Sequence, residues 1–218
     1  MTAAIKAVIF DMDGLLLDTE QVYFDGYRNA RAAMGLPPHD DGFLELIGLP
    51  EPAGRPLLTA HMGKATDQFI AQWDHEIHQA LQADIPAKPG VQEVATCLRA
   101  RRVPYAIATS TRTAKAHDHL ARAKLGDLFP IIIGGDQVQN GKPAPDIYLK
   151  AAATLGVPPN QCAAFEDSEN GVRAAVAAGM ITIQIPDIKP PSPDLLTLGH
   201  HVADTLIDGA KMLRLMES

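Results

Sequence analysis

Ile5-Lys6-Ala7-Val8-Ile9-Phe10-Asp11-Met12-Asp13-Gly14 is the stretch that decides the fold. Its first six residues form a compact β-branched and aromatic run, which reads as a strand buried on both faces, as in parallel sheets covered by helices. Similar short runs recur at residues 105–108, 131–133, 163–165 and 181–185. Between them the pattern predicts helices over 91–101, 114–124, 145–155 and 171–178, with a last helix near 204–216. Gly156 and Gly179 follow two of these helices, where a glycine relieves left-handed strain, and Pro158-Pro159 blocks continuation of the first. Strand alternating with helix predicts an α/β fold with a Rossmann-like parallel sheet.

Residues 20–86 break that rhythm. They hold no convincing strand, and segments 22–34, 42–47, 56–61 and 65–83 look helical between Pro- and Gly-rich breaks. The alternation begins after Lys88-Pro89-Gly90. The expected organisation is a core built from residues 1–18 and 87–218, with an α-helical cap domain inserted over 19–86. Trp73, spaced helically with Phe69 and Ile77, is expected in the core of that cap.

The chain has 218 residues, enough for one sizeable domain with an insertion and no need of disulfides or structural metal. A formal charge of −7 argues against nucleic acid, which is held by clustered Lys and Arg, but leaves room for a small anion beside one lysine and a metal. Cys97 and Cys162 have no metal-type spacing and are expected as two reduced, buried thiols. Residues 5–10 are too short for a signal peptide, and no stretch approaches the ~20 apolar residues of a membrane span. A cytoplasmic monomer with no membrane partner is expected.

In open parallel sheets, ligands bind beyond the carboxyl ends of the strands. The residues there are Asp11 and Asp13 after the first strand, Thr109-Ser110-Thr111 after the second, Gly141-Lys142-Pro143 beyond the third and Glu166-Asp167-Ser168 after the fourth. Carboxylates on two loops suit magnesium, which prefers octahedral oxygen ligands, while a lysine and hydroxyls neutralise transferring phosphoryl oxygens. Of Asp11 and Asp13, one can attack phosphorus while the other manages a proton. Taken singly each element is bland: Asp-Gly is a common turn, Lys142 a plausible surface lysine, and Asp-Ser a helix cap.

Together, Asp11-x-Asp13-Gly14, Thr109, Lys142 in Gly-Lys-Pro-x-Pro-Asp and Glu166-Asp167 opening Glu-Asp-Ser-x-x-Gly-Val resemble the haloacid dehalogenase superfamily, in its phosphatase and phosphomutase branch. The resemblance extends to the insertion point after the first strand, which matches that family's small helical cap. It implies Asp11 as nucleophile and magnesium ligand, and Asp13 as general acid/base giving the metal its backbone carbonyl. It implies Thr109 with the Ser110 N–H on the phosphate, Lys142 bridging Asp11 and phosphate, and Asp167 with Glu166 completing the Mg2+ site. The expected activity is hydrolysis of a small phosphorylated metabolite through an aspartyl-phosphate.

The cap should select the substrate, with residues 48–55 as a candidate specificity loop and Tyr23 and Arg55 facing the substrate. The rival is a sugar-phosphate mutase. The β-phosphoglucomutases that this chain resembles carry a histidine and an arginine where Tyr23 and Glu51 line up here, which favours hydrolysis. A receiver-like phospho-signalling module is more remote, because it has an adjacent acidic pair and no cap. The stretch from Gly134 to Lys142 is no nucleotide P-loop, since Pro143 stands where Ser or Thr is required. The eight histidines lack a zinc-type spacing and are expected at solvated or helix-surface positions.

Overall fold

The computed structural model describes residues 5–47, 51–82 and 84–217. Six strands lie in one sheet: β1 Ala7–Phe10, β2 Tyr105–Ala108, β3 Ile132–Ile133, β4 Cys162–Glu166, β5 Ile181–Gln184 and β6 His201–Val202. All pair in parallel, in the order β3-β2-β1-β4-β5-β6. The chain builds outward from β1 on one side, then returns to start again on the other. β1 and β4 therefore flank the point where the winding reverses, the place where such sheets open a crevice.

The two faces of β1 explain its unbroken apolar sequence. Val8 and Phe10 enter one core with Leu98, Ile107, Phe129 and Phe165. Ala7 and Ile9 enter a second core with Ile147, Tyr148, Ala151 and Ala174. Successive side chains point to opposite faces, so only a strand with helices on both sides buries all four.

The helices around this sheet are taken in chain order. Four precede β2 in the inserted segment: α1 Thr19–Ala33, α2 Asp41–Leu44, α3 Glu51–Met62 and α4 Thr66–Gln82. The others are α5 Val91–Ala100, α6 Thr113–Arg122, α7 Asp146–Leu155, α8 Glu169–Ala177, α9 Pro193–Leu196 and α10 Leu206–Met212. The inserted helices have a core of their own, made by Tyr27, Ala30, Phe43, Leu58 and Phe69. Tyr27 packs edge-on against Phe69 and Trp73.

The chain leaves and re-enters the sheet layer at adjacent points. Leu17 bridges Ala87, the Asp18 N–H donates to the Pro86 carbonyl at 2.8 Å, and the Lys88 N–H donates to Leu16 at 2.9 Å.

Two sequence expectations are corrected. β6 was not expected; it is two exposed residues long and carries no apolar signature. Glu51 to Arg55 is helix, not loop, because α3 starts at Glu51 and accommodates Pro56 within it. Gly48 and Pro50 of the expected specificity loop lie outside the described residues.

Candidate active site

The strand ends bring the first acid into the crevice before the chain turns. Asp11 still pairs like a strand residue, its N–H donating to Phe165 at 2.9 Å, and it is 6% exposed. Gly14 then turns the chain with φ +84°, and a side chain there would run into the Asp167 carboxylate. The glycine thus lets the loops after β1 and β4 touch.

Lys142 reaches the same point from the third loop. Its Nζ bonds Asp11 and, at 2.5 Å, Glu166 Oε1. Glu166 has no solvent exposure and is held by five donors. Lys142 and the Tyr148 hydroxyl (2.7 Å) share Oε1; the N–H groups of Asp167 and Ser168 (3.1 Å each) and Ser168 Oγ (3.0 Å) share Oε2. A carboxylate offers about four lone-pair sites, so Glu166 is saturated. Gly171 in α8 makes room for it, since any Cβ there would overlap the carboxylate. Ser168 also caps α8, its Oγ accepting from the Gly171 N–H at 3.1 Å.

Asp13 faces the second loop. Its Oδ2 accepts from Thr111 Oγ1 at 2.7 Å and Thr109 Oγ1 at 3.3 Å. Thr109 Oγ1 in turn accepts from the Thr111 N–H at 3.0 Å. Ser110 is exposed beside them, at the rim of the crevice.

Charge in the crevice is unbalanced. One lysine faces three carboxylates, Asp11, Glu166 and Asp167, which can each turn an oxygen to within 4.8 Å of the others. Burial first, with Glu166 and Asp13 adding to it, pushes the Asp11 carboxyl up to about 8 against the pull of Lys142. Burial, then Glu166 and Asp11, raise Asp167 well above the usual carboxylate range. Burial alone would lower the Lys142 ammonium, but Asp11 and Glu166 hold it above its ordinary value. Burial would raise Asp13 too, yet the nearby His119 and hydrogen bonds from Thr111 and Thr109 leave it below its ordinary value.

These observations test the fit of a divalent cation. Asp167 Oδ1 is buried and has no hydrogen-bond partner among the described residues, and buried anionic oxygens require a donor or a cation. Asp11 and Asp167 have the oxygens and the excess negative charge that a magnesium ion would satisfy.

A cavity of about 440 Å3 opens among the inserted helices, with Glu20, Tyr23, Arg55 and Trp73 in its wall. Glu20 also lies beside Gly14 and Asp167, so the cavity wall meets the acidic crevice. Tyr23 is raised by burial and then by Asp13 and Glu20. Arg55 is exposed and ion-paired with Asp67. Trp73 has two surroundings: it belongs to the aromatic cluster, its Nε1 donating to the Tyr23 carbonyl at 2.9 Å, and it lines the cavity.

Three side chains at the crevice were not singled out from sequence: Thr111, Tyr148 and His119. His119 corrects the expectation of surface histidines, being 4% exposed. It shares the inward stripe of α6 with Ala116 and Leu120, a spacing that would have revealed its burial. Cys162 is buried as expected, whereas Cys97 is only partly so.

Residues 5–179 match the family model described as haloacid dehalogenase-like hydrolase. A phosphorylated carbohydrates phosphatase of Thermotoga maritima is 38% identical over 178 residues, covering 81% of this chain and 82% of its own. A β-phosphoglucomutase of Bacillus subtilis is 30% identical over 195 residues, covering 85% of each chain. The structure of a HAD family hydrolase from Deinococcus radiodurans, with bound phosphate and sodium, is 27% identical with a TM-score of 0.82, covering 98% of this chain and 97% of that one.

Proposed function

We propose, from the premise that this chain belongs to the haloacid dehalogenase-like hydrolase family, that it is a magnesium-dependent phosphatase of small phosphate monoesters. The observation that carries the reading is the buried Asp11–Lys142–Glu166 cluster beside the unpartnered Asp167 oxygen. A lysine is fixed against a carboxylate that lies where a phosphate would enter. The Thermotoga relative, described as a phosphatase of phosphorylated carbohydrates, supports hydrolysis of a sugar phosphate or a similar metabolite.

In this reading a carboxylate oxygen of Asp11 attacks phosphorus and the ester P–O bond breaks, leaving an aspartyl-phosphate. Asp13 gives its proton to the departing alkoxide, then takes one from the water that attacks the aspartyl-phosphate and frees inorganic phosphate. Lys142 and the Thr109 hydroxyl, with the Ser110 N–H, neutralise the transferring oxygens. Magnesium would be held by Asp11, Asp167 and the Asp13 carbonyl, and would supply positive charge that makes anion-on-anion attack tolerable. Glu166, its oxygens already filled by donors, aligns Lys142 rather than taking a direct place on the metal.

Residues 1–18 and 87–218 serve as the catalytic core and residues 19–86 as a cap that encloses the leaving group. Tyr23 and Arg55 reach that group from the cavity wall. The unpaired Cys97 and Cys162 suit a reducing compartment such as the cytoplasm, and the chain is taken to work there as a monomer.

The test is phosphate release from a panel of small esters by wild type and Asp11→Asn, with magnesium and with chelator. Magnesium-dependent release by wild type alone is expected. Release by Asp11→Asn at the wild-type rate would end the covalent mechanism. The Bacillus relative keeps a mutase reading in view, and conversion of one sugar phosphate to its isomer without phosphate release would favour it.

A further inference from the structure

We propose that His119 is a positioning residue that aims the Asp13 carboxylate for its proton transfers, acting as an N–H donor; this rests on the reading of Asp13 as general acid/base.

The geometry around Asp13 has one open place. Its Oδ2 is committed to Thr111 and Thr109. Its Oδ1 lies 3.9 Å from His119 Nδ1, and that nitrogen is buried with no hydrogen-bond partner among the described residues. A buried ring nitrogen without a partner is costly in a native protein and calls for an explanation. At 3.9 Å the Asp13 oxygen is just beyond hydrogen-bonding range, and catalytic hydrogen bonds in the free state are often long and tighten once substrate is bound.

Asp13 needs such a restraint more than the other acids do. Its side chain is 31% exposed, against 8% for Asp11 and none for Glu166. Two hydroxyls on one oxygen leave the carboxylate free to swing about that edge. A donor on the second oxygen, anchored by the packed stripe of α6, removes the swing. His119 acts through Asp13, so its contribution is aim and not chemistry.

The experiment compares His119→Leu, which removes the donor, with His119→Asn, whose amide nitrogen can stand near the place of Nδ1. First-turnover release of the leaving group is measured for an alkyl phosphate and for 4-nitrophenyl phosphate, whose leaving group departs without a proton. Urea unfolding of each variant is measured alongside. For the alkyl ester, His119→Leu is expected to lower the rate about ten- to a hundred-fold with little change in KM, the size expected for a hydrogen bond to a charged group. The loss should shrink several-fold for the nitrophenyl ester, and His119→Asn should recover most of the alkyl rate.

Equal losses for both esters, or equal losses in the Leu and Asn variants, would reduce His119 to packing and overturn the proposal. A wild-type rate in His119→Leu would overturn it as well. Asp13→Asn serves as the separate control. If it shows no alkyl-against-aryl difference, the acid/base reading of Asp13 fails first, whatever His119 does.

Discussion

Tyr148→Phe isolates one hydrogen bond in the buried cluster. The hydroxyl donates at 2.7 Å to Glu166 Oε1, and both residues are fully buried. The substitution deletes one oxygen and leaves the ring in place, so packing is nearly conserved. Oε1 keeps Lys142, so no acceptor is orphaned. A hydrogen bond to a charged group is worth about 1.5–3 kcal/mol, against about 0.5–1.5 for a neutral one. Tyr105→Phe is the built-in control. Its hydroxyl also donates at 2.7 Å, but to the uncharged carbonyl of the half-buried Leu128. Urea unfolding should show a roughly twofold larger loss for Tyr148→Phe with unchanged m-values. In a chain of this length that corresponds to a fall in thermal midpoint of roughly 3–12 °C, against roughly 1–6 °C for the control. Turnover should fall less than tenfold, because Lys142 and the loop amides still hold Glu166. Equal losses in the two variants would refute the claim that Glu166 is a charged anchor.

Gly171→Ala sets two effects against each other. Helix propensity alone would stabilise α8 by about 1 kcal/mol, whereas forcing the Cβ into the Glu166 carboxylate costs about 1–3 kcal/mol. A net loss of stability and of kcat/KM is expected, and a stabilised, fully active variant would contradict the packing described. Magnesium should raise the thermal midpoint more at pH 8 than at pH 5. Without the ion, Asp11 titrates near 4 when unfolded and up to about 8 when folded, so stability is lost as pH rises through that window. Binding the ion must displace the proton, so the gain from magnesium grows over the same range. A gain independent of pH would argue against Asp11 as a ligand.

The strands most easily read from sequence were those buried on both faces. β1 and β2 carry unbroken apolar runs because helices cover both sides, and no solvent-facing residue dilutes the pattern. β6 escaped notice for the opposite reason, being two exposed residues at the sheet edge. The prolines and glycine around Arg55 suggest a loop, yet Pro52 falls in the first turn of α3, where proline is tolerated, the helix carries Pro56 inside it, and Gly54 sits buried against Leu46. The acids and Lys142 were legible because each follows a strand, so local order fixes their place on the sheet edge. Tyr148 and His119 reach the crevice from helices rather than strand ends, and which way a helix turns its face is decided by packing. Periodicity could have announced that both are buried, but not that each is turned toward an acid.

The clasp between residues 16–18 and 86–88 has a consequence for how the chain folds. β1 pairs with β2 across roughly 97 residues, from Phe10 to Ile107. Once Leu17 and Ala87 meet, about 70 of those residues no longer count toward the span. Closing the remaining loop costs about 1 kcal/mol less entropy. The inserted helices, rich in local contacts, are placed to collapse early, draw the two arms of the clasp together and present β1 to β2 as near neighbours. In kinetic terms the insertion is a shortcut: its length burdens the search for the sheet only until the clasp shuts.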